Sequence, residues 1–566
     1  MTDVSNRPWA VVVSMAGSVS DRNCTPRWPP IRELLGTGLP IGVTVAMEGS
    51  LFIVTALLIG RLGALPVAAH QIAINLSAIC FMVPNGIAQA ATVRVGLAFG
   101  ARDGEGIRRA GRVALGLAFG FGNFLVGLTW IATAFTYQSQ MPVWLGWVAV
   151  AGLSLFLALY PAFAALAARR LSTRLVPLTL YFAALFLLTE ILRGALFSGF
   201  AWNPLGAGWL QLSGVAQLAA LIGANGLSAL AILAGGSLAA LLGARGEPGR
   251  LGLVLVFPLL LLIGIAVPRI QKPLPAATGP ELLLVQPGTE ISDKHVEGGL
   301  QRSVEDAVRQ TRAALATGAP PAAVIWPEAT VEFPLEEDPQ LRALLVEGFA
   351  PGTLLLTGGV AVERAANGEL QGARNSLYAL DSTGKILARY DKAHLVPGGE
   401  YLPLRWLAEP LGLSRLVPGD LDFWPGPGPV TWHLPGLPAI APNICYEIIF
   451  PGAIVDHGDR PEMILTVSND AWFGASGPPQ HHAQARLRAI EEGLPVVRVT
   501  PTGISGVIGP RGELLETTAR HQPATLRVRA PAPLAATPFA QLGLAAPGLF
   551  ALLLLALGAW IARRKT

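Results

Sequence analysis

Three side chains in this 566-residue chain combine residue types and local settings suited to acyl transfer. Cys445 ends the apolar run PAIAPNI and is followed by Tyr446 and Glu447, Glu328 follows the run AAVIWP, and Lys392 follows ILARYD. A thiol placed where a strand gives way to a turn is held rigidly yet can face a cleft, and its reactivity depends on how far the surroundings favour thiolate. A cysteine in an apolar run is also commonly just a small buried hydrophobe. What distinguishes Cys445 is a carboxylate and an ammonium at two other strand ends, able to converge with it at one rim of a sheet. Glu328 could take the thiol proton as general base and later manage the protons of an incoming amine. Lys392 could favour the thiolate and, with the backbone N–H after Cys445, hold the oxyanion of a tetrahedral intermediate. That is acyl transfer through a thioester.

The elements that must position this trio are short. ELLLVQ, AAVIWPE, TLLLTGGVAV, NSLYALDSTGKILARYDK, PAIAPNICYE, MILTVSND, PVVRVT, SGVIGPRGELLE and ATLRVRA read as strands, with hairpin turns at DSTG and GPRG. Helical periodicity marks EGGLQRSVEDAVRQTRAALAT and HHAQARLRAIEEG. Strands alternating with helices predict an α/β domain over about residues 270–535.

The rest of the chain is of another kind. Composition is 52% hydrophobic and 14% charged, with a mean hydropathy of +0.50, a membrane-protein profile. Residues 1–38 are polar, lack a signal-peptide pattern and read as a disordered cytoplasmic tail. Apolar segments at about 39–60, 66–92, 112–136, 142–168, 176–198, 218–243, 250–268 and 541–562 are each about the 20 residues a bilayer needs. The basic runs ARDGEGIRRAGR, ARRLSTR, GARGEPGR and ARRKT fall at every second connection, so the positive-inside rule puts them in the cytoplasm and residues 270–535 outside it. The net charge of +4 is explained by these runs, and no nucleic-acid partner is expected. Cys24, Cys80 and Cys445 form neither a CxxC pair nor a disulfide framework. Neither a metal nor a cofactor is expected, since adjacent histidines such as His481–His482 rarely face one ion.

Glu328 in WPE, Lys392 in YDKAHLVPGGEYLPL and Cys445 in NICYE resemble the Glu-Lys-Cys triad of the nitrilase (carbon–nitrogen hydrolase) superfamily. HLVPGGEYLPL, ICYEIIFPG, SNDAWFG and ARLRAIEEGLPVVRVTPTGISGVIGPRGE narrow the resemblance to the apolipoprotein N-acyltransferase family, from about residue 115 onward. The resemblance implies a multi-pass helical membrane domain at 114–269, an extracytoplasmic nitrilase-like αββα sandwich at 270–535, and a C-terminal transmembrane helix with a basic tail at 536–566. It also implies a bacterial inner-membrane enzyme that moves an acyl chain from a phospholipid, phosphatidylethanolamine being expected, to the α-amine of a diacylglyceryl-cysteine on an apolipoprotein. Residues about 36–113 resemble instead a fragment of a multidrug and toxin extrusion (MATE) transporter, two helices of which would occupy 39–113 in place of the acyltransferase family's own first pair.

Around the triad several readings stay open. The resemblance makes Glu400 an active-site residue, although after a Gly pair it could be a solvated carboxylate on a mobile loop. Glu447, two residues beyond Cys445, would share its face in an extended segment and could tune the thiol or order a turn. Tyr446 is a supporting residue. Trp472 and Phe473 could wall an acyl-chain site or pack in the core, and Asn469 and Asp470 could simply form the preceding turn. Two other activities compete: a membrane-tethered amidase, for which seven preceding helices are excessive, and a transporter, for which two helices cannot supply the paired repeats of a central site.

Overall fold

A computed structural model describes residues 93–138, 141–243, 271–294, 296–416 and 422–564, with Leu39, Val43, Ile59, Arg61, Gly63 and Arg269 as isolated additions. The expected tail at 1–38, the apolar segments at 66–92 and 250–268, and Cys24 and Cys80 lie outside the described residues, as does nearly all of 39–60. The chain divides into two compact units at residues 79 and 80, and the second contains everything that follows.

Among the described residues, twelve strands form two sheets. The first contains β1 (Glu281–Gln286), β2 (Ala323–Ile325), β3 (Val331–Pro334), β4 (Leu354–Arg364), β5 (Leu370–Leu380), β6 (Ile386–Asp391) and β12 (Ala524–Arg529). Its order is β12-β1-β2-β4-β5-β6, with β3 paired to β4; β1, β2 and β4 run parallel, and the hairpin β4–β5–β6 and the edge β12 are antiparallel. The second has the order β11-β10-β9-β8-β7, from β7 (Ile440–Ile444), β8 (Met463–Val467), β9 (Val496–Val499), β10 (Gly506–Ile508) and β11 (Leu514–Thr517).

Period-two alternation explains why the layers stack. Leu282, Leu284, Ala323, Ile325, Leu354, Leu356, Leu377 and Ala379 point to one face and pack with Ile440, Ile444, Ile464 and Val496 of the other sheet. The intervening Leu283, Val285, Val324, Trp326, Leu355 and Tyr378 point outward, where the helix Gly299–Leu315 lays Val304 and Ala307 on them. Each fully buried Leu, Ile or Val contributes about 1.5–3 kcal/mol, so strands apolar on both faces require cover on both. The helix Gly477–Glu492 covers the second sheet with Ala485 and Ala489 and turns Leu487 and Ile490 toward the membrane helices. The result is the αββα layering expected. The strand Val331–Pro334 and the helix Pro339–Leu345 were not evident in the sequence pattern, being only 4 and 7 residues long.

Among the described residues, four helices are long and apolar enough to cross a membrane: Leu145–Leu171, Leu175–Ser198, Ala219–Ala240 and Ala545–Arg563. They answer to the segments at 142–168, 176–198, 218–243 and 541–562. The segment at 112–136 is not one straight helix, because Phe119–Gly127 and Thr129–Tyr137 meet at a 42° bend. Small residues bring the helices close together: a Cβ on Gly236 would lie 2.1 Å from Thr179 Cγ2.

Candidate active site

Strand ends deliver the three chemical groups to one place, and local geometry aims each. Cys445 lies immediately after β7 with φ 52°, a left-handed conformation that a side chain bearing Cβ rarely adopts. Such strain persists only where the surroundings over-determine it, and here Glu447 does so. The turn Cys445–Ile449 is 3₁₀ rather than extended, so Glu447 curls back instead of sharing the face of Cys445. Its carboxylate accepts from Ile444 N at 2.7 Å, Ala393 N at 2.8 Å, His394 N at 3.3 Å and Tyr390 Oη at 2.6 Å. Of its two open readings the turn-ordering one fits, and it reaches further, tying the turn of Cys445 to the loop that carries Lys392. Burial pushes the Glu447 carboxyl above its usual range despite these donors.

Glu328 sits in a second strained turn. Ala329 has φ 50°, its carbonyl accepts from Lys294 Nζ at 2.6 Å, and Thr330 Oγ1 donates to Pro327 O. Gly358 on β4 passes so close that a Cβ there would lie 2.6 Å from Glu328 Cα. Lys392, one residue past β6, is 1% exposed; its Nζ lies 3.4 Å from Glu328 Oε1 and 3.0 Å from Glu400 Oε1. Burial alone would lower the Lys392 pKa, but Glu400 and Glu328 outweigh it and hold the ammonium above its ordinary range. Glu400 is not a solvated loop residue. It is 5% exposed, and its Oε2 accepts from Val396 N at 2.8 Å. Burial and the charge of Glu328 push the Cys445 thiol well up, with Lys392 and a hydrogen bond from Ser468 pulling the other way.

Several groups here escaped the sequence reading. Asn375, on β5, donates through Nδ2 to Glu328 Oε1 and Glu400 Oε1, both at 2.8 Å, so one amide spaces two carboxylates around one ammonium. Asn469 does more than form a turn, because its backbone N donates to Glu328 Oε2 at 2.6 Å. Asp470 is fully buried against Arg498, whose Nη2 lies 2.8 and 2.9 Å from its two oxygens. Burial opposes its charge, but Arg498 holds its carboxyl well below the usual range. His481 is spoken for by Asp470, Arg498 and the Cys445 carbonyl. His482 is buried and driven down to about 3, first by desolvation and then by Arg498. No group of three or more potential ligands capable of holding a metal exists among the described residues. The signal that could have found Arg498 is its charge inside the otherwise apolar run PVVRVT, since charged residues are almost never fully buried unpaired.

The aromatic pair divides. Phe473 is buried in a core cluster with Trp130, Trp202 and His481 at ring distances of 4.9, 5.4 and 5.3 Å. Trp472 is half-buried edge-on to Tyr137. Tyr446 is buried and donates to Gly199 O at 3.1 Å. That carbonyl belongs to the loop after Leu175–Ser198, in which Arg193 donates to Phe200 O at 2.9 Å and Trp202 O at 2.6 Å. Tyr401 Oη donates to Ser198 Oγ at 3.0 Å. The membrane helices thus support the turn of Cys445 directly.

Known proteins resemble this chain in both of its regions. The family model described as Apolipoprotein N-acyltransferase N-terminal domain matches residues 76–237, and the one described as Carbon-nitrogen hydrolase matches 285–529. The chain is 37% identical to an apolipoprotein N-acyltransferase of Allorhizobium ampelinum over 70% of its own length and 75% of the relative's. It is 36% identical to that of Brucella melitensis biotype 1 with the same coverage. A solved amidase from Nesterenkonia sp. is 18% identical, covering 46% of this chain and 94% of its own, with a TM-score of 0.32. The acyltransferase match begins at residue 76, inside the stretch that resembles a transporter, so the acyltransferase region starts earlier than residue 115 and the MATE resemblance is not supported. The match at 76–237 is to an acyltransferase domain and the relatives named are acyltransferases, so the transporter and tethered-amidase readings are set aside. The chain belongs to the apolipoprotein N-acyltransferase family, acyltransferases of the nitrilase superfamily.

Proposed function

We propose that Cys445 is the nucleophile of a two-step N-acyl transfer. In the first step the thiol proton passes to Glu328 as sulfur attacks the ester carbonyl of a phospholipid, phosphatidylethanolamine in our reading. The oxyanion is held by Lys392 and the backbone N–H of Tyr446. Collapse expels the lysophospholipid alkoxide, which takes the proton back from Glu328 and leaves an acyl thioester on Cys445. In the second step the α-amine of a diacylglyceryl-cysteine attacks the thioester, Glu328 receives the amine proton, and the thiolate leaves and takes that proton from Glu328, restoring thiol and carboxylate. Glu400 and Asn375 hold Lys392 and Glu328 in place, Glu447 and Tyr446 hold the turn of Cys445, and Trp472 is retained as a supporting side chain at the rim.

The observation that carries this reading is the shared burial of Cys445, Glu328 and Lys392, at 5, 7 and 1% exposure, with the ammonium 3.4 Å from the carboxylate. Low-dielectric enclosure strengthens each charge interaction there. The same reading places the enzyme in a bacterial inner membrane with residues 270–535 outside the cytoplasm, as the basic runs at every second connection suggest, the extent of that domain being supported by the carbon–nitrogen hydrolase match at 285–529 and by β1 beginning at Glu281. Incubating the full chain with acyl-labelled phosphatidylethanolamine tests it. Label should appear on Cys445, vanish in Cys445→Ala, and form about 10²-fold or more slowly in Glu328→Gln and Lys392→Ala. Label arriving at wild-type rate on another residue of Cys445→Ala sinks the assignment.

A further inference from the structure

Behind Cys445 lies a buried polar cluster that the two-step chemistry leaves unused. Ser468, the residue after β8, is fully buried, with its Oγ 3.3 Å from Cys445 Sγ and 2.8 Å from Asp470 Oδ1. A serine hydroxyl carries one proton, so it can donate to only one of these acceptors at a time. Asp470 remains satisfied in either case, because Arg498 holds both its oxygens. His481 fixes the other side of the nucleophile. Its Nε2 lies 3.0 Å from Cys445 O, which can only accept, so Nε2 carries the proton; Nδ1 lies 2.8 Å from Arg498 Nη2, which can only donate, while Asp470 Oδ1, 3.2 Å from Nδ1, takes its hydrogen bonds from Arg498 and Ser468. The Cys445 backbone is pinned through its carbonyl, and its sulfur stays beside Ser468.

Resting on the thioester reading, we propose that Ser468 is a further catalytic residue whose hydroxyl turns from Asp470 to Sγ whenever the sulfur is charged, and back when it is a thiol or thioester. The serine proton stays on Oγ throughout, and the thiol proton goes to Glu328 as before. A thiolate is a far stronger acceptor than a thioester sulfur, since hydrogen bonds to ionised groups are about twice as strong as neutral ones. The bond therefore favours the thiolate as nucleophile in the first half-reaction and as leaving group in the second, a differential that accelerates both. The charged groups around the sulfur are Glu328, Lys392 and the Asp470–Arg498 pair, with neutral His481 alongside. Of these only Lys392 and the serine hydroxyl favour the thiolate directly.

The test is the rate at which iodoacetamide alkylates Cys445 in the full-length protein in detergent, followed by mass spectrometry of the Cys445 peptide as a function of pH. The wild-type rate should climb with pH. Ser468→Ala should lie about tenfold lower between about pH 7 and 9, a displacement of about one pH unit, while Ser468→Thr, which keeps the hydroxyl, should overlay the wild type. Coincident wild-type and Ser468→Ala profiles, or equal displacement by alanine and threonine, would overturn the proposal. If Ser468→Ala does not fold, Ser468→Gly removes the same hydroxyl and is read identically. Acylation of the wild type by labelled phosphatidylethanolamine separates the two ideas. Its absence removes the thioester reading and this inference with it, whereas an acylated wild type with an unshifted Ser468→Ala profile removes the inference alone.

Discussion

Replacing Glu447 by glutamine changes no volume to speak of, yet it should slow acyl-Cys445 formation about 10²-fold. The carboxylate receives four donors, three from the Lys392 side and one, Ile444 N, from the nucleophile's own turn. A glutamine oxygen can keep the three, but its NH₂ then faces the Ile444 N–H at a distance of 2.7 Å in the native site, two donors with no acceptor between them. A hydrogen bond to a charged group is worth about 1.5–3 kcal/mol, so losing one and weakening three costs on the order of 4 kcal/mol. Opposing this, the amide no longer buries a charge, a cost visible in the raised pKa of Glu447. A net loss of about 2–3 kcal/mol corresponds to about 10²-fold. It falls on the spacing between Cys445 and Lys392, where a misplacement of about 1 Å can cost as much. Single-turnover labelling of Cys445 by phosphatidylethanolamine, alongside thermal unfolding in detergent, measures both parts. A rate within about threefold of wild type would refute the argument that Glu447 sets the distance between nucleophile and ammonium.

Ping-pong chemistry predicts that lysophospholipid is released before any acceptor is added; release that requires apolipoprotein would point to direct transfer. In spheroplasts, externally added protease should cut near Gly368, which lies in the exposed turn between β4 and β5, and protection of that turn would reverse the topology. Gly223, with φ 66° inside a membrane helix, leaves no room for a side chain because its Cβ would lie 2.5 Å from Phe539 Cε2. Gly223→Ala should destabilise by about 2–4 kcal/mol, combining left-handed strain with overpacking, and an unchanged melting temperature would contradict the packing. Asp470 is held below its unfolded value, so its stabilisation is complete above about pH 4 and is lost as pH falls through the lower folded value. Asp470→Asn, which strands the buried Arg498, should cost about 3–5 kcal/mol at neutral pH, and the gap in melting temperature between it and wild type should narrow toward pH 3. A constant gap would mean that Asp470 acts by shape rather than charge.

Most of the chain's plan is local and was therefore legible in its sequence. The unbroken apolar runs in ELLLVQ and AAVIWP specify strands covered on both faces, because successive side chains point to opposite sides of a strand, and 20-residue apolar runs specify membrane helices. Cys445, Glu328 and Lys392 were recognisable because each sits where such a strand ends. The bend at residue 128 was invisible, since both halves are equally apolar. What only the tertiary structure decided is the partnership of residues far apart in sequence. Asn375 meets Glu328 across 47 positions and Asn469 meets it across 141, while Asp470 finds Arg498 across 28. The position of Glu447 shows the limit most clearly. Two-residue spacing would put it beside Cys445 in a strand, but the left-handed turn at Cys445 reverses it toward Ala393 and Tyr390. That turn is tolerable only because distant donors meet the carboxylate. Residue order can specify which groups are present, but the solvent they lose and the partners they gain on burial depend on the completed fold, and those determine whether Cys445 can work.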